Sequence, residues 1–193
     1  MRIAGALVVV GLLGSCSDPE PTPAAYFEAL ESETRTYAEA VDELENTYGD
    51  ELSDELSTLF DGTDFSDTSA VDGYFDQAKE VAIVKTADHF SSMAAELRVL
   101  IDSLGGLDPP EGLVAAHADA LAGGEELATA MPLTIEAVRN LESIEDLDET
   151  LEGTPYPVAV QRFGIACLNL ESAARDQGIT VELACPGADD TPD

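Results

Sequence analysis

Residues 24–60 read AAYFEALESETRTYAEAVDELENTYGDELSDELSTLF, and their spacing decides the fold class. Apolar side chains fall at Phe27, Leu30, Tyr37, Val41, Leu44, Tyr48, Leu52, Leu56 and Leu59, with Thr34 filling the one gap. Steps of three and four place them on one side of a long amphipathic helix. Gly49 lies within the run at a cost of about 1 kcal/mol relative to Ala. The register continues across it, which predicts one helix to about Phe60.

The pattern repeats downstream. Asp61 to Asp67 is a loop by composition, and Ser69-Ala70-Val71-Asp72 has the form of a capping box. A second long helix is expected from there, facing inward with Phe75, Ala78, Ala82, His89, Met93, Leu97, Leu100 and Leu104 and ending at Gly105-Gly106. Asp108-Pro109-Pro110-Glu111 combines an N-cap acid, first-turn proline and a second acid favoured by the helix dipole, so a third helix starts there. Its face carries Leu113, His117, Ala120, Leu121, Leu127 and Met131, with Gly123-Gly124 a weak point and Pro132 expected to kink or end it. A fourth segment then runs from Leu133 to Leu151, and a last helix from Thr154-Pro155 or Pro157 to Gly178, a C′ glycine. The fold class is all-α: an antiparallel bundle of four to five helices in one domain, residues 24–185.

Upstream, residues 1–16, MRIAGALVVVGLLGSC, hold a basic Arg2, an apolar run too short for a finished membrane span, and small residues before a cysteine. This is the layout of a secretion signal. The Leu13-Gly14-Ser15-Cys16 end resembles the lipobox of bacterial lipoproteins. That resemblance implies cleavage of residues 1–15, diacylglycerol on the Cys16 thiol, and attachment to the extracytoplasmic face of the cell membrane. Residues 16–23 include three prolines alternating with polar residues, a tether that reaches only about 20 Å. The Leu107-Asp108-Pro109-Pro110-Glu111…His117 stretch, with the lipobox and paired C-terminal cysteines, resembles small uncharacterised helical lipoproteins of Gram-positive-type bacteria. The resemblance implies a helical bundle and surface attachment, and carries over no catalytic residue.

In an oxidising compartment Cys167 and Cys185 form an even pair, expected as a disulfide, with two buried thiols as the alternative. From Ile179 to Cys185 apolar and polar residues alternate, so an extended return along the last helix can bring the sulfurs together. Residues 186–193 read as a disordered acidic tail.

Formal charge excludes one class of partner. With 40 Asp and Glu against 8 Lys and Arg, the net value of −32 repels phosphate backbones, so no nucleic acid is expected. No cofactor and no enzymatic activity are expected either. The chain lacks His-Glu-x-x-His, Gly-x-Ser-x-Gly and a glycine-rich phosphate loop. The Glu-x-x-His pair of bundle metal enzymes is also missing, since Thr86 and Val114 stand three before the histidines.

The candidate metal ligands are His89 with Met93 one turn on, and His117. Packing about the Gly105 to Asp108 turn offsets the two histidines by about two turns, too far to share an ion. The acidic loop departs from a calcium-binding EF-hand at its sixth and twelfth positions, where Ser66 and Asp72 stand. The leading expectation is a lipid-anchored bundle with an interaction or structural role. An extracytoplasmic metal- or solute-binding protein is the alternative.

Overall fold

A computed structural model describes residues 21–186. The expected leader, Cys16, most of the tether and the tail past Pro186 lie outside the described residues.

The molecule is an all-α bundle of five helices packed antiparallel, with no strand among the described residues. Helices α1 (Pro23–Asp61) and α2 (Thr68–Gly105) form a long hairpin. A 3₁₀ turn (Glu111–Leu113) leads into α3 (Val114–Arg139), a second (Ile144–Asp146) into the short α4 (Leu147–Glu152), and α5 (Tyr156–Asp176) completes the bundle. Helix α2 packs on α1 and α3, and α3 on α5.

Helix α1 starts one residue inside the expected tether. Thr22 caps it by accepting from the Ala25 N–H, which leaves Pro23 in the first turn, where a missing N–H costs nothing. The chain then stays helical across Gly49, as the register predicts. At α2 the expected capping box is displaced: Asp67 is the N-cap, its Oδ1 accepting from Ser69 N at 2.9 Å, and Ser69 lies inside the helix.

Of the kink or end expected at Pro132, the end does not occur: α3 runs through the proline to Arg139. The proline ring is exposed, while Met131, Thr134 and Val138 are buried on the inner face. Burial on both sides of the proline holds the helix together despite the lost hydrogen bond. What remains of the expected fourth segment is the 3₁₀ turn and α4, whose Leu147 and Leu151 pack against the core.

Gly123-Gly124, read as a weak point, is where α3 comes into close contact with both α5 and α2. A Cβ on Gly123 would lie 3.1 Å from Phe163 Cα, and one on Gly124 3.0 Å from Ile101 Cγ1. Glycine is what lets the α3 backbone reach α5 on one side and an α2 side chain on the other. Phe163 is wholly buried against this glycine pair, and elsewhere in the core Val138 is wholly buried, with Leu97, Leu113, Leu127 and Leu170 nearly so.

At the end of α5, Gly178 adopts φ 74°. The Gly178 and Ile179 N–H groups donate to Arg175 O and Ala174 O, both at 2.9 Å, the paired bonds of a Schellman cap. The chain then turns back along α5 as expected. Cys167 and Cys185 are bonded, with their Cα atoms 6.3 Å apart. Leu183 is buried, and its N–H donates to Glu171 Oε1 at 2.7 Å.

Candidate functional site

The two long helices outrun the rest of the bundle. At 1.5 Å per residue the 39 residues of α1 span about 58 Å, whereas the 26 of α3 span about 39 Å. Helix α3 ends at Arg139, whose Nη2 lies 3.8 Å from Asp88 Oδ1 on α2. Beyond that level α1 and α2 have mainly each other. Accordingly every fully buried residue of α1 falls between Tyr26 and Tyr37, and every one of α2 between Ile83 and Leu104. Leu44, Leu52, Leu56 and Leu59 are only half-buried in the hairpin seam.

The expected face of α2 is therefore corrected in its first half. Phe75, placed inward by periodicity, is 63% exposed, and Ile83, Ala87 and Phe90 take the buried positions. Phe75 belongs instead to an aromatic cluster at the hairpin tip. Tyr74 is its hub, with ring centroids 6.2 Å from Phe60, 5.6 Å from Phe65 and 5.3 Å from Phe75, all edge-on. Phe60 and Phe65 lie 4.7 Å apart. All three phenylalanines stay exposed. An open groove of about 480 Å³ runs beside them, lined by Leu56, Phe60, Tyr74, Asp61 and two serines.

The loop that carries Phe65 is held by short-range bonds. Thr63 Oγ1 donates to Leu59 O at 2.7 Å, closing the end of α1. Asp64 Oδ1 accepts from both Ser66 N and Ser66 Oγ, which lowers its pKa below the usual carboxylate value. Asp67 is occupied as the α2 cap. Within the acidic loop, Asp64 thus serves the turn and Asp67 the helix cap. Among the described residues no group of three His, Cys, Asp or Glu is placed to hold a metal ion.

Midway along the hairpin a second, smaller groove of about 150 Å³ is lined by Tyr48, Glu51, Lys85, Asp88 and His89, among others. Lys85 Nζ sits 2.7 Å from Glu55 and 2.9 Å from Glu51, and those two carboxylates hold its pKa above the ordinary value. His89 stacks on Tyr48 at 4.8 Å, and desolvation lowers its pKa against a smaller opposing pull from Glu45. Tyr48 Oη and Thr86 Oγ1 are hydrogen-bonded at 3.0 Å. Met93 packs against the core.

His117 is buried at the opposite end of the bundle. Its Nδ1 shares a 2.8 Å hydrogen bond with Tyr26 Oη. Burial raises the Tyr26 pKa to about 12 and lowers that of His117, so both are neutral near pH 7 and either can supply the proton. The histidines are further apart than the expected two turns. Their partners Tyr48 and Tyr26 sit 22 residues apart on α1, about 33 Å along the axis. The connection at residues 107–110 and the 3₁₀ turn at Glu111–Leu113 stand where a tight reversal was expected, and α3 begins only at Val114, three residues before His117.

Among the described residues no buried side-chain nitrogen or oxygen lacks a partner, so the core offers no polar atom waiting for a ligand. Nor is any described helix long and apolar enough to cross a membrane. No protein-family model matches the chain, and comparison with curated proteins and with solved structures returned no match.

Proposed function

We propose that the protein is a non-enzymatic, extracytoplasmic lipoprotein that presents the α1–α2 hairpin as a protein-interaction element. In this reading lipid on Cys16 holds the Pro23 end of α1 at the membrane, and the short tether keeps the folded body there. The aromatic tip, at the other end of a helix about 58 Å long, then points away from the bilayer.

The observation that carries the reading is the tip itself. Three phenylalanines are left in solvent around Tyr74, in a chain that buries Phe27, Phe163 and Tyr26 almost completely. Clustered exposed aromatics are the composition of contact surfaces, where they bring large apolar area at little entropic cost.

Growth with labelled palmitate, followed by membrane fractionation and protease treatment of intact cells, tests the arrangement. The wild type should carry the label, sediment with membranes and be cleaved from outside first in the 61–67 loop. A Cys16→Ala variant should lose label and sedimentation together. An unlabelled, soluble wild type, or one protected from external protease, would sink the proposal.

A further inference from the structure

Resting on the hairpin as contact surface, we infer that its tip docks a polypeptide segment carrying Lys or Arg beside apolar side chains. Between Arg35 and Lys79 there are thirteen Asp and Glu and no Lys or Arg. Among the described residues the ion pairs involve Glu31, Glu51, Glu55, Asp88 and Glu126, and none reaches an acid of the tip. Asp61, Asp72 and Asp76 therefore flank exposed phenyl rings, and no ion pair among the described residues engages them.

A guanidinium or ammonium placed over a phenyl face gains from the ring quadrupole, and its remaining donors reach the neighbouring carboxylates. An apolar side chain beside it fills the groove between Leu56, Phe60 and Tyr74. Charge argues against the two other occupants. A second tip would bring the same uncompensated acids against their own kind, and an anionic lipid surface would be repelled as well.

The test has two arms. In the first, the purified full-length lipidated chain, in phosphatidylcholine nanodiscs, is titrated with a fluorescein-labelled amphipathic Leu/Arg peptide and with a Ser/Arg peptide of equal charge. The Leu/Arg peptide should bind at least ten-fold more tightly. Phe60→Ser/Phe65→Ser/Phe75→Ser, which leaves net charge unchanged, should abolish that preference with the helical circular dichroism retained. Asp61→Asn/Asp72→Asn/Asp76→Asn should weaken Leu/Arg binding by a similar factor. Equal binding of the two peptides, or indifference to the phenylalanine variant, would reduce the attraction to bulk charge and overturn the inference.

In the second arm, p-benzoylphenylalanine at position 75 is photo-activated in intact cells and the cross-linked peptide is sequenced. A segment with Lys or Arg among apolar residues is the expected product. A cross-link to an acidic or uncharged segment, or between two copies of this chain, would overturn the basic partner while keeping the hairpin as the contact surface. No cross-link at all would overturn both readings.

Discussion

Phe163 and Phe75 are the same side chain in two different surroundings. Phe163 has no exposed surface and lies against the Gly123 backbone in a body where α2, α3 and α5 converge. Phe75 is 63% exposed at the end of a two-helix hairpin, its ring edge-on to Tyr74 in the tip cluster. Helix formation is equally complete in both places, so what separates them is the number of neighbours available at each level of the bundle. Where three or four helices coexist, an apolar side chain contributes to stability. Where α1 and α2 run on alone, half of each apolar stripe stays open to solvent and can serve recognition.

Substitutions should break along that division. Phe163→Ala is expected to cost about 3 to 5 kcal/mol, since the surrounding helices cannot close on the void. Gly123→Val should be of similar size, because its Cβ would meet backbone and not a movable side chain. Urea unfolding followed by circular dichroism measures both, and a cost below about 1 kcal/mol for either would mean the body is not close-packed at α3 and α5. Cys185→Ser comes next, at about 2 to 4 kcal/mol. It should also free residues 179–185 to proteolysis, which mass spectrometry of limited digests would detect.

Legibility from sequence follows the same division. Periodicity gave α1 across Gly49, the C′ glycine signal gave the Gly178 stop, and the even cysteine count gave the Cys167–Cys185 pairing, because each depends on local spacing or composition. It misplaced Phe75, since an amphipathic stripe reports that one face prefers burial and not whether a neighbour reaches that far. Tyr26 went unnoticed because its burial depends on His117, 91 residues away. Propensity marks Gly123-Gly124 as a weak point and Pro132 as a kink or end, whereas packing of Met131, Val138 and Phe163 carries α3 through both. The paired small residues Gly123-Gly124 are the signal in the sequence that marks the crossing of α3 and α5.

A smaller effect separates the two histidines' ends. Tyr26→Phe leaves the buried His117 Nδ1 without its partner and should cost about 1 to 3 kcal/mol. The pH dependence has a definite sign. The folded state holds the His117 pKa below its unfolded value of about 6.5, so its contribution is fully present above that pH and is lost as pH falls below it. In His117→Gln, which cannot titrate, stability should fall less between pH 7 and pH 5 than in the wild type, as thermal melts at the two values would show. Parallel curves would contradict the assignment. Smallest of all, Phe75→Ser should change stability by less than about 0.5 kcal/mol, as expected of an exposed position outside the core. A loss above 2 kcal/mol would place that ring in the core after all.

Hydrogen exchange resolved along the chain tests the contrast between body and hairpin most directly. Amides of residues 83–104, 114–138 and 159–174 should exchange only through global unfolding, whereas those of 52–60 and 70–80 should exchange orders of magnitude faster by local opening of the tip. Uniform protection from Pro23 through Gly105 would contradict the account, because it would make the hairpin tip as much a part of the cooperative core as Phe163.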